Sequence, residues 1–121
     1  MSAVITMAAG ALLLLPQAVL AGTTTTTELE GMVYVKARPI ILSYGWQPLA
    51  GPCGGANKST CTDFPEVGNC SGTGVGFCDM NFARRDRCLV VITVGGEPTS
   101  DNRDYTVIRD VLFSAGPCSK D

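Results

Sequence analysis

Five of the six cysteines fall between Cys53 and Cys88, with seven, eight, seven and nine residues between successive ones, and the sixth, Cys118, lies almost at the C-terminus. Glycine, proline, serine, threonine and asparagine fill most of the gaps. Such a stretch has too few large apolar side chains to hold itself together by burial, so covalent ties must do so. The cysteine count is even, no two cysteines stand as C-x-x-C, and the closely spaced thiolate pairs of a zinc site are missing. Three disulfides are therefore expected among Cys53, Cys61, Cys70, Cys78, Cys88 and Cys118, in a pairing that spacing alone leaves open. Reduction is expected to unfold the domain.

The N-terminal segment points to the same oxidising environment. From Ser2 to Ala21 no side chain is charged, Ala11 to Leu15 form an apolar run that Pro16 ends, and Val19-Leu20-Ala21 presents short side chains where a signal peptidase reads. Residues 1–21 are read as a signal peptide cleaved after Ala21, although no basic residue opens it. The alternative is an uncleaved anchor, since about 20 apolar residues can span a bilayer. Residues 22–30, with the run Thr23 to Thr27, form a flexible lead-in. Residues 31–121 make one disulfide-rich β domain.

Along that domain, Val33, Val35 and Ala37 alternate with Tyr34, Lys36 and Arg38, the period of a half-buried strand that Pro39 interrupts. Cys88 to Val94 is an apolar, β-branched strand bounded by Gly95-Gly96. Tyr105 to Ala115 is a third strand, with Tyr105, Val107, Val111 and Phe113 on one face and Ile108 and Leu112 on the other. No stretch after residue 21 shows a clear helical period, though Asp79 to Arg87 admits a short helical turn. The expected fold is all-β: a small disulfide-stapled sandwich or barrel with long cysteine-rich loops.

Composition excludes several functions. A net charge of −2 lacks the basic excess of a nucleic-acid binder. No histidine is present, which removes Ser-His-Asp and Cys-His catalysis and imidazole-ligated metals. Eleven acidic residues single out no facing pair for glycoside hydrolysis, so the protein is read as no enzyme, with no cofactor and no metal. Gly72-Thr73-Gly74-Val75-Gly76 has the letters of a phosphate loop but no helix after it, and is read as a loop. Asp101-Asn102-Arg103-Asp104 offers oxygen ligands for calcium, yet Arg103 stands among them, and a solvated loop is the expectation.

Two features suit binding. Arg84, Arg85 and Arg87 form a basic cluster cut by Asp86, suited to sulfated glycans or anionic headgroups. Tyr44 and Trp46 flank Gly45 as an aromatic pair that either stacks on a sugar or packs over a disulfide. The sequons Asn57-Lys58-Ser59 and Asn69-Cys70-Ser71 make Asn57 and Asn69 candidate glycan acceptors.

Gly31-Met32-Val33-Tyr34-Val35, Gly45, Gly51-Pro52-Cys53-Gly54-Gly55, Cys78-Asp79-Met80-Asn81-Phe82 and Cys88-Leu89 together resemble the N-terminal C2-like domain of Notch ligands of the Delta and Serrate/Jagged type. The turn has one cysteine where that family has two, and the Cys78 to Cys88 spacing is longer. The resemblance implies a β-sandwich that engages a receptor and touches membrane lipid. The leading expectation is a secreted interaction module that binds a protein receptor, a surface glycan or a membrane surface through its loops, and no nucleic acid. The alternative is a secreted defence or effector protein, an antimicrobial or a hydrolase inhibitor whose rigid loop would run from Asn57 to Pro65.

Overall fold

The centre of the molecule is an antiparallel hairpin of strands β3 (Cys78–Arg84) and β4 (Arg87–Val94). The computed structural model describes residues 28–99 and 105–118. The signal-peptide reading of residues 1–21, the threonine run and the loop Asp101 to Asp104 lie outside them. Before the hairpin come helix α1 (Tyr34–Ser43), the two-residue strand β1 (Gln47–Pro48), the short helix α2 (Lys58–Asp63) and strand β2 (Val67–Cys70). Strand β5 (Val107–Ser114) follows it.

β4 and β5 pair antiparallel, and the free side of β3 takes β1 against Phe82 and Ala83 and β2 against Cys78 and Met80. The result is one five-stranded antiparallel sheet, so the chain is the small disulfide-stapled β protein expected. Alternation decides the inner face. Cys78, Met80 and Phe82 on β3 stand opposite Thr93, Val91 and Leu89 on β4, and all six are buried.

The second layer, among the described residues, is α1, which corrects the reading of residues 33–38 as a strand. Only Val33 keeps a strand contact, a bridge to Val107, with Gly31 N–H donating to the Ile108 carbonyl at 2.8 Å. From Tyr34 onward the chain is helical despite Pro39, whose missing N–H weakens a helix interior. The buried positions Tyr34, Ala37 and Ile41 recur at helical spacing and join Leu29, Trp46, Phe64, Met80, Phe82 and Leu89 in the core. Alternation over six residues matched a strand by chance, because Val35 and Lys36 sit on the less buried side of the helix. Gly45 at φ 90° closes the helix, its N–H donating to the Leu42 carbonyl at 3.0 Å.

The third strand also needs a correction. β5 carries a bulge at Arg109, because Ile92 pairs with Asp110 while Thr93 pairs with Ile108. One extra residue shifts the alternation. Ile108 therefore joins Val111 on the inner face instead of opposing it.

The cysteines pair in chain order: Cys53–Cys61, Cys70–Cys78 and Cys88–Cys118. The sequence separations are 8, 8 and 30 residues. In the chain-entropy model these ties contribute about 2.5, 2.5 and 3.5 kcal/mol. Their sum is comparable to the whole stability of a domain of this size, about 5–15 kcal/mol. Full reduction at 37 °C should therefore abolish the near-UV circular dichroism of the folded domain. The double variant Cys88→Ala/Cys118→Ala should lower stability by about 3.5 kcal/mol in urea titration.

Candidate functional site

A carboxylate without solvent contact holds the helix to the sheet. Glu66, in the turn before β2, has a side chain that is 0% exposed. It accepts a 2.5 Å hydrogen bond from the Tyr34 hydroxyl and bonds of 2.6 and 3.0 Å from Arg38 Nε and Nη2. Tyr34 and Arg38 are four residues apart on α1, so one helix face delivers both donors. Phe64 packs edge-on against Tyr34 at 6.0 Å and lies beneath the Arg38 guanidinium at 5.4 Å. Burial, followed by the charge of Glu66, pushes the Tyr34 hydroxyl well above the ordinary tyrosine range. The hydrogen bonds that Arg38 donates to Glu66 raise the arginine above its ordinary value. This cluster is closed to ligands and is structural. In sequence Tyr34 and Arg38 show only strand-like alternation, and the one signal for Glu66 is a lone acid between Phe64-Pro65 and Val67.

The surface candidates gather at the β3–β4 turn. Arg84 and Arg87 pair at the hairpin end, and Arg85 sits in the turn at φ 59°. Arg84 lies over the Trp46 ring at 4.5 Å and donates from Nη1 to the Tyr44 carbonyl at 2.6 Å. Trp46 meets Phe113 edge-on at 5.6 Å, and Arg87 lies over Phe113 at 5.6 Å. Two edge-on rings thus stand between two cations, in the order Arg84, Trp46, Phe113 and Arg87, a favourable arrangement for quadrupolar rings. Trp46 is only 3% exposed, which rules out the sugar-stacking alternative for this ring. It is a core residue that supports Arg84. The exposed ring of the cluster is Phe113, 50% exposed, and Tyr44, two residues before Trp46, is 38% exposed. Alternation shows Phe113 only as a strand residue, because nothing in the sequence links residue 113 to the turn at 85.

The other singled-out residues separate from this cluster. Asn57 and Asn69 are both exposed. Residues 58–63 of the proposed inhibitory loop are helical, clipped by Cys53–Cys61 and fastened from outside. Glu97 accepts from the Asn57 N–H at 2.8 Å and from the Thr60 hydroxyl at 2.7 Å. The glycine run leads into β3, and Gly76 lies so close to Gly96 that a Cβ there would stand 2.6 Å from its nitrogen.

A groove of about 650 Å3 opens on the outer face of the sheet, over Gly68, Asp79, Asn81 and Ala83. Register creates its floor. Between the pairs Val67–Met80 and Cys70–Cys78, β2 has one residue more than β3. The bulge frees the Asn69 N–H from the ladder, and Asp79 Oδ1 accepts it at 3.0 Å. Asp79 Oδ2 accepts from Asn81 Nδ2 at 3.0 Å. A Cβ on residue 68 would collide with Asp79 and come within 2.7 Å of Asn81 Nδ2, so only glycine leaves these side chains in place.

No family model, no curated protein and no solved structure matches the chain. The three disulfides are those of a protein that folds in an oxidising compartment. No helix among the described residues is long and apolar enough to cross a membrane.

The buried cluster sets the expected response to mutation and pH. Glu66→Gln leaves Arg38, 22% exposed, without its counter-charge and should cost about 3 kcal/mol in urea titration at pH 7. Below about pH 10 Tyr34 is neutral in both the folded and the unfolded chain. As pH rises further the unfolded chain ionises first, so stability falls through this range. Tyr34→Phe, though less stable at neutral pH, should show a shallower alkaline loss than the wild type.

Proposed function

We propose that the protein is a secreted extracellular interaction module that binds an anionic surface glycan through the β3–β4 hairpin end. The observation that carries this reading is the concentration of Arg84, Arg85 and Arg87 on one turn of a protein whose net charge is −2. Among the described residues no ion pair engages any of the three. They bound a surface concavity of about 500 Å3 in which Asp86 is the sole acid. Arg84 is immobilised by Trp46 and the Tyr44 carbonyl, so it loses little side-chain freedom on meeting an anion. Arg85 and Arg87 are exposed and present planar donor forks suited to sulfate or carboxylate oxygens. Phe113 adds an exposed apolar ring beside them. A receptor contact of the Notch-ligand type would use the same loops, and it rests on the quoted sequence motifs alone.

In this reading the signal peptide is removed on export. Asn57 carries the glycan, since its side chain caps no helix end. Asn69, whose side chain packs against Gly54, does not.

Chromatography on heparin tests the reading. The folded protein should be retained at low salt and released as salt rises, because exposed charges are screened. Arg85→Ala/Arg87→Ala should lower affinity by about tenfold, equivalent to about 1.4 kcal/mol. Retention unchanged in that variant, or binding confined to vesicles of anionic lipid, would overturn the glycan assignment.

A further inference from the structure

The outer-face groove continues from the hairpin end, and we infer that it is a subsite for an acidic disaccharide segment, with sugar hydroxyls on Asp79 and Asn81 and the acidic group on Arg85 and Arg87. The inference rests on the glycan reading and specifies the ligand's chemistry.

The order of residues along β3 makes the case. Asp79, Asn81 and Ala83 share the outer face at successive alternate positions, and the strand then enters the turn at Arg85. Asn81 to Arg84 covers about 10 Å of strand, the span of about two sugar rings, and Arg85 begins the turn beyond it. At one end a carboxylate and an amide are locked together, each Asp79 oxygen holding one donor and keeping lone-pair capacity for another. A carboxylate beside an amide offers acceptors and donors at the spacing of neighbouring hydroxyls. Leu49, Pro52 and Pro117 line the same groove with apolar surface for the C–H faces of the rings. At the other end Arg85 and Arg87 supply positive charge only. A purely apolar ligand would strand Asp79 and Asn81, and a bare anion would gain nothing from Asp79.

Preorganisation separates this floor from an ordinary polar surface. The Gly68 Cα sits directly under the Asp79 carboxylate, and the bulge N–H of Asn69 fixes its orientation. The polar groups are set before any ligand arrives, which cuts the ordering cost of binding.

Amide NMR titration of the folded protein tests the assignment with three probes: a hyaluronan tetrasaccharide, a neutral N-acetylglucosamine tetramer and sodium sulfate. The hyaluronan fragment should shift the amides of Gly68, Asn69, Asp79 and Asn81 together with those of residues 84–87. The neutral tetramer should shift the first group more weakly, and sulfate only the second. Ala83→Leu, which narrows the groove from a residue that makes none of the Asp79 hydrogen bonds, should weaken the hyaluronan fragment by about tenfold and leave the sulfate response unchanged. Gly68→Ala should do the same where it folds. Shifts confined to residues 84–87 with every probe, or wild-type affinity in Ala83→Leu, would overturn the subsite. Heparin retention that persists alongside such a result leaves the glycan reading standing, whereas loss of both removes the two together.

Discussion

The structure depends on one desolvated carboxylate. A charge as deeply buried as Glu66 is tolerated only when its partners replace the lost hydration, and Tyr34 and Arg38 do so with three hydrogen bonds. Both partners lie on α1, while the Glu66 backbone carbonyl accepts the Asn81 N–H of β3 at 2.9 Å. A single residue therefore reaches the helix with its side chain and the sheet with its main chain. That explains how a helix with no side-chain cap and an internal proline is held.

The disulfides act on a different part of the problem. None of them fastens α1. Cys53–Cys61 closes the loop that carries α2, Cys70–Cys78 joins β2 to β3, and Cys88–Cys118 returns the C-terminal segment to β4. Burial and ionic pairing thus hold the helix to the inner face, and covalent ties fasten the loops and the C-terminal segment to the sheet. The groove lies where both meet. Its floor is the outer face of β3 beside the Cys70–Cys78 junction, and Cys118 is part of its lining.

The glycines of the cysteine-rich stretch have a role that composition could not convey. Gly51 and Gly54 lie flat on β2, where a Cβ would strike the Val67 carbonyl or the Asn69 side chain. The segment they form runs parallel to β2, with the Gly54 N–H donating to the Gly68 carbonyl at 2.8 Å. Close backbone approach, rather than looseness, is what these residues supply.

The sequence by itself determined the class of build: an even set of six cysteines without metal spacing, a β-branched run from Cys88 to Val94, and too little apolar side chain between the cysteines for an unlinked core. These are local or compositional properties, readable without knowing which residues meet. It also located the three arginines and Tyr44, because a charge cluster is visible as letters. Only the tertiary structure decided that Tyr34 to Ser43 is a helix, that Trp46 is interior, that Phe113 stands beside Arg87, and that Gly68, Asp79 and Asn81 form a floor. Each of those outcomes rests on contacts between distant residues or on a bulge that shifts the alternation. Such contacts are set by register and burial in the folded chain, and neither is written in the spacing of residue types.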